Sequence, residues 1–242
     1  MSSAAEHYAR HLAPVYLWMA GGADAALRAG ELEIEALGLP RTRGDFILDL
    51  GAGVGMHAIP LARRGARVMA VDSSAELVRT LVALAGGLPV QAVNDDLLAF
   101  QRHRAEVPQA ILCMGDTITH LPDFDAVERL IERAALALPR GGLFVVSLRD
   151  YALPRAGDTR FIFVRGDETR LLTCFLEYEP ERVRVHDILH ERTSSGWQCR
   201  VSHYPKLRLP PEHLSARLES HGFKVRREAG IGGMVRLVAE MV

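Results

Sequence analysis

The chain has 242 residues, 48% of them hydrophobic and 24% charged, with a formal net charge of −1. That is enough apolar material for a full core, and it fits one α/β domain with an insertion better than two independent domains. The near-zero charge leaves no overall electrostatic footprint for nucleic acid or an anionic membrane. The three cysteines, Cys113, Cys174 and Cys199, are odd in number and far apart. They lack the short pairs of zinc sites and read as free thiols, with no metal expected. No apolar run approaches the ~20 residues that span a bilayer. The N-terminus, with Glu6, His7 and Arg10, lacks a signal peptide's basic start and apolar core, so a cytoplasmic location is expected.

Residues 4–37 have a helical pattern interrupted at Ala20-Gly21-Gly22 and ending near Gly38-Leu39-Pro40. Tyr8, Tyr16 and Trp18 form an aromatic group in its first part, which reads either as a helix docked on the core or as a lid over a site. The apolar run from Phe46 to Leu50 suits a parallel strand buried on both faces. Gly51, Ala52, Gly53, Val54 and Gly55 follow as a tight, glycine-rich turn, with a helix expected from about Val54. A second apolar run, 68–71, ends on Asp72, so the unit is strand, loop, helix and strand with an acid at the second strand's tip. Two residues depart from the dinucleotide fingerprint. Met56 stands where the third glycine belongs, and Asp49 lies two residues before the first glycine, where a pyrophosphate gains nothing from negative charge and a cation does.

Asp49-Leu-Gly-Ala-Gly-Val-Gly55 followed by Val71-Asp72-Ser73 resembles the first motifs of the class I S-adenosylmethionine-dependent methyltransferases. The resemblance implies a Rossmann-like α/β fold: a seven-stranded sheet with its last strand antiparallel and helices on both faces. It also implies that Gly51, Gly53 and Gly55 lie against the methionine part of S-adenosyl-L-methionine, that Asp49 orients its amino-acid end and that Asp72 binds the ribose hydroxyls, with Ala52 and Ser73 beside them.

Further along, 74–85 has helical spacing and Gly86-Gly87 stops it. A third strand, 88–93, runs into Asn94-Asp95-Asp96-Leu97-Leu98, where the family commonly places an acid on the adenine amino group; the pattern favours Asp96 over Asp95, and a helix cap by either is the alternative. A fourth strand, 110–114, ends at Met114 and leads into Gly115-Asp116-Thr117-Ile118-Thr119-His120, a polar loop with no packing reason to exist. A helix over 125–138, the turn Pro139-Arg140-Gly141-Gly142 and a fifth strand over 143–148, ending near Arg149, complete this half. From 158 to about 208 the pattern changes to short alternating runs, read as an inserted antiparallel β-sheet lid. A helix from Pro210-Pro211 to Gly222 and strands over 223–227 and 234–241 finish the chain. The expected organisation is a single domain: a helical cap over 1–40, a cofactor-binding core over 41–150, the β insertion for the acceptor over 151–208, and a closing helix and strands over 209–242.

The first four strands each end at or just before an acid, and in an open parallel sheet those ends lie together at the switch point. Carboxylates there suit a sulfonium cation, a ribose diol and an adenine amino group. They suit a polyphosphate poorly, and no Gly-Lys-Ser or Gly-Lys-Thr follows the loop. His120 is the candidate base, with Asp116 beside it, because imidazole titrates near neutral pH; capping a helix or bonding Asp116 is its structural alternative. The loop from Gly115 to His120 resembles that of the glycine and sarcosine N-methyltransferase group and lacks the Asn-Pro-Pro-Tyr type of motif used on amide or base nitrogens. Tyr8, Tyr16, Trp18 and Arg149 are the candidate acceptor contacts. The arginines of the insertion, Arg182 and Arg184 among them, alternate as a half-exposed strand predicts and read individually as solvent-facing. The expected activity is methyl transfer from S-adenosyl-L-methionine to nitrogen or oxygen of a small molecule, by a monomer or homodimer with no nucleic-acid or membrane partner. A non-catalytic cofactor-binding module and a nicotinamide-dependent oxidoreductase are the alternatives.

Overall fold

A computed structural model describes residues 11–242. After a 3-10 turn at Ala13–Val15, the helices are α1 (Tyr16–Met19), α2 (Ala23–Ala36), α3 (Ala58–Arg63), α4 (Ala75–Ala85), α5 (Phe124–Ala137) and α6 (Pro211–Ser220). The strands are β1 (Phe46–Leu50), β2 (Arg67–Asp72), β3 (Val90–Asn94), β4 (Ala110–Cys113), β5 (Leu143–Leu148), β6 (Phe161–Gly166), β7 (Arg170–Tyr178), β8 (Arg182–Thr193), β9 (Gly196–Leu207), β10 (Phe223–Ala229) and β11 (Val235–Met241). Seven strands form one sheet in the order β10-β11-β5-β4-β1-β2-β3, and β6 to β9 form a second, antiparallel sheet. β1 to β5 pair in parallel, whereas β11 runs antiparallel to both β5 and β10. Among the described residues no helix is long and apolar enough to cross a membrane.

Strand parity separates two cores. Phe46, Leu48 and Leu50 of β1 face one, with α5, α6 and Phe100; Ile47 faces the other, with α2, α3 and α4. Asp49 shares the parity of Ile47, which aims a carboxylate at the α3 side. The order of the sheet reverses between β1 and β4, so the loops after those two strands flank a switch-point crevice.

The helix expected from Val54 begins only at Ala58. Gly53 at φ 54° and Gly55 at φ 90° hold left-handed backbone that a helix cannot contain. Pro60 gives a second reason. In a helix from Val54 it would sit in the interior and break the ladder; from Ala58 it falls in the first turn, where no backbone N–H is needed.

The inserted sheet is anchored through one face. Val183, Val185, Leu172 and Leu189 are buried there against Leu12, Val15 and Tyr151. A buried ion pair ties this sheet to the loop after β4: Lys206 Nζ donates to Asp116 Oδ2 at 2.5 Å, with both side chains nearly inaccessible. The Tyr151 hydroxyl donates to the same oxygen at 3.3 Å, and the Arg149 backbone N–H to Oδ1 at 2.9 Å. Removing one member of a buried pair strands the other charge, at a cost of about 3–5 kcal/mol. Lys206→Met is therefore expected to lower the unfolding free energy by about that amount in urea denaturation, and Lys206→Met with Asp116→Asn to recover part of the loss.

Candidate functional site

One large cavity, about 900 Å³, opens at the switch point and reaches the inserted sheet. At one end its wall is the glycine loop (Gly51, Ala52, Gly53, Met56 and His57), the β2 tip (Asp72 and Ser73), and Asp96 with Leu97. Met114, Gly115, Thr117 and Tyr16 also line it, Thr117 against Gly51 and Tyr16 beside Gly53, as do His120 and, from the inserted sheet and the turn before β8, Glu179, Arg182, Arg184, His203 and Pro205.

The loop is shaped from both sides. Gly51 lies at φ 76°, and a Cβ there would meet Thr117 Cγ2 at 2.3 Å, so the β1 and β4 loops touch only because this residue is glycine. From behind, α2 presents Gly30, whose Cβ would lie 1.8 Å from the Met56 carbonyl oxygen. A glycine inside an exposed helix costs about 1 kcal/mol relative to alanine. Its presence in the alanine-rich α2 was the sequence signal for this approach, and periodicity alone missed it.

Asp72 orders the same loop. Its Oδ2 accepts from the Gly53 N–H and its Oδ1 from the Ser74 N–H, both at 2.8 Å. An ionised carboxylate offers about four acceptor positions, so two remain for donors in the cavity. Asp49 lies behind the loop, 1% exposed, and its Oδ2 has no hydrogen-bond partner. Burial pushes its carboxyl up to about 6, against the opposing pull of His57 and of the Ala58 N–H, with the Asp72 charge adding to the rise. His57 Nε2 is itself 2.9 Å from Glu33 Oε2 of α2, and both side chains are buried. The Tyr16 hydroxyl is held protonated above its ordinary range, first by burial and then by the Asp72 charge.

Several expected site residues lie elsewhere. Asp95 is held by its own Asp96 N–H and by His103 Nε2 at 2.6 Å, off the cavity wall, while Asp96 lines the wall and also caps the 3-10 turn after β3 by accepting from the Leu98 N–H. Gly55 packs on Ile59 and Leu81. Asp116 turns inward to Lys206, where it braces the loop that carries His120. Trp18 donates its indole N–H to Asp167 at the β6–β7 turn, and the Arg149 guanidinium donates to the Gly232 carbonyl at 3.0 Å. Tyr8 lies outside the described residues. Conversely, Arg182 and Arg184, expected to face solvent, line the cavity. Arg182 is fixed by the Pro122 carbonyl, and Arg184 by Glu179 at 2.5 Å and Glu177 at 3.3 Å. Strand parity put these arginines on one face without saying which face the cavity would use.

Residues 47–142 match the family model described as a methyltransferase domain. The chain carries a class I S-adenosylmethionine-dependent methyltransferase domain. A glycine/sarcosine N-methyltransferase of Aphanothece halophytica is 29% identical over 109 residues, 44% of this chain and 41% of that protein. A ubiquinone biosynthesis O-methyltransferase of Xanthomonas axonopodis pv. citri (strain 306) is 34% identical over 107 residues, 43% of this chain and 44% of that one. The matched stretch thus spans less than half the length of these curated relatives. Nearly the whole fold is shared with the S-adenosylmethionine-bound structure of CalS10, an amino pentose methyltransferase from Micromonospora echinaspora: the TM-score is 0.74 at 17% identity, covering 95% of this chain and 96% of that one.

The methyltransferase domain's cofactor is S-adenosyl-L-methionine, and the residues present fit it. Asp49 is not on the cavity wall itself, but it holds a buried carboxylate oxygen without a partner behind the glycine loop; Asp72 keeps lone pairs for a diol; and Gly51 and Gly53 leave the backbone bare at the wall. The sign of the Asp49 shift gives a test on the ligand-free protein. An acid whose folded pKa is raised lowers stability as pH rises from its unfolded value, about 3.9, through about 6, because the native state then holds more protons than the unfolded one. Asp49→Asn is expected to raise the unfolding free energy at pH 8 by at most about 3 kcal/mol, with the gain vanishing near pH 4 in denaturation series at the two pH values.

Proposed function

We propose that this protein transfers the methyl group of S-adenosyl-L-methionine to the amino nitrogen of a small, polar acceptor. The observation that carries the reading is the continuity of the cavity, with His120 between the glycine loop and the charged wall of Glu179, Arg182, Arg184 and His203. In this reading Asp49, Asp72 and Asp96 hold the amino-acid end, the ribose and the adenine of the cofactor, and the inserted sheet holds the acceptor. The bound cofactor supplies an electrophilic methyl carbon on a sulfonium centre. Alignment and exclusion of water are left to the protein. An amine enters at neutral pH as an ammonium, and once a proton is gone its lone pair attacks without further help. An imidazole at His120 suits that proton. His120 is oriented by stacking on Tyr204, with ring centroids 5.4 Å apart and 11° between planes. Both N- and O-methyltransferases stand among the relatives, and the amino pentose substrate class of CalS10 is compatible with a wall that carries both signs of charge.

The test is formation of S-adenosylhomocysteine with a panel of amino sugars and amino acids set against phenols and catechols. Turnover with amines is expected; turnover confined to phenols, or no binding of S-adenosylmethionine by titration calorimetry, would overturn the proposal. Asp72→Ala is expected to weaken cofactor binding at least tenfold or so, the loss of charge-assisted hydrogen bonds worth about 1.5–3 kcal/mol. His120→Gln is expected to lower kcat by about 10² and to remove the acidic limb of its pH profile while cofactor affinity holds.

A further inference from the structure

The inserted sheet has a second face. In β8, Val183, Val185, Asp187 and Leu189 are buried inward, so Arg184, His186, Ile188 and His190 point the other way. The cross-strand register extends this outer face over all four strands. One row is Phe161, Phe175, His186 and His203, and the next is Phe163, Thr173, Ile188 and Val201. The first row is a ladder of rings: Phe161 to Phe175 at 4.8 Å, Phe175 to His186 at 5.6 Å and His186 to His203 at 5.3 Å. His203 also lines the cavity, so the acceptor end of the site and this face are one continuous surface.

Beside its histidines, and with the Arg160 guanidinium 4.8 Å over the Phe175 ring, the face exposes large apolar side chains. Phe163 is 66% exposed, Val201 60% and Phe161 52%, with exposed Leu171 and Trp197 further along. A contiguous patch of this kind on a folded protein marks an interaction surface. It is a sheet face rather than a pocket, which suits a protein better than a small molecule. Four strands at about 4.8 Å spacing and some eight residues long project on the order of 500 Å². Side-chain relief brings that near the roughly 800 Å² per partner of a standard interface. The ends of the face carry both signs: Arg184 with Glu177 and Glu179 at the cavity end, and Arg192 at the hairpin. A surface holding both charges around an apolar middle is complementary to itself. Pairing through the β6 edge is disfavoured, because that strand is bulged between Phe163 and Arg165.

We infer that this face packs against the same face of a second copy, sheet on sheet across a two-fold axis, and that the partner closes the open side of the acceptor end of the cavity. The closure rests on the acceptor reading given above; the dimer does not, and its test needs no acceptor. The wild-type protein at tens of micromolar should sediment as a dimer, and Phe163→Glu and Val201→Lys, at solvent-exposed positions, should each shift it to monomer while S-adenosylhomocysteine affinity and the thermal transition stay unchanged. Cys199, exposed on the same face, supplies a readout without substitution: its alkylation should slow several-fold as protein concentration rises through the dimer range. A monomeric wild type, a dimer indifferent to both substitutions, or a Cys199 alkylation rate independent of concentration would overturn the inference.

Discussion

A lysine ammonium and an aspartate carboxylate buried together hold this molecule's two sheets in register. Asp116 sits in the left-handed region at φ 70°, the only non-glycine residue with positive φ among those described. That conformation is tolerated by aspartate better than by most residues. It sends the chain after β4 into the 3-10 turn that ends at His120, while the carboxylate gathers the Arg149 N–H, the Tyr151 hydroxyl and Lys206. Burying both charges repays little net stability unless their remaining hydrogen bonds are made, and here those of the carboxylate are shared between the segment after β5 and β9. This cluster fixes the inserted sheet to the loop after β4, alongside the apolar face packed on Leu12, Val15 and Tyr151.

The cofactor end depends on a different economy of space. Thr117 presses on Gly51 from the β4 side and Gly30 admits Met56 from behind, so the loop is clamped between two glycine contacts. Asp72 completes it by taking two loop N–H groups. Asp49 is left ionisable and short of a partner behind this loop, an arrangement that carries a penalty in the ligand-free fold and suits a cationic ligand.

At the acceptor end the inserted sheet uses its two faces differently. The inner face packs on Leu12, Val15 and Tyr151; the outer face supplies Arg184 and His203 to the cavity and then runs on as an aromatic surface. The same strand alternation therefore builds a core, a polar wall and an apolar platform, depending on how far along each strand one stands.

Local pattern in the chain determined much of this. The apolar runs of β1 and β2, the glycines between them and the acids at the strand ends depend on neighbours within a few positions, and for that reason the order of the elements, the glycine loop and the place of Asp72 at the tip of β2 were legible without coordinates. Even the late start of α3 was written in Pro60, although periodicity alone pointed to Val54. Tertiary structure decided what depends on residues far apart in sequence. Asp116 faces Lys206 from 90 positions away, Trp18 answers Asp167 from 149 away, and which of the insertion's arginines meet the cavity turned on how a whole sheet docks. Lys206 carried one faint signal, being one of only two lysines in an arginine-rich chain, but its partner could not be read, because a strand's alternation fixes which residues share a face and not what that face will meet.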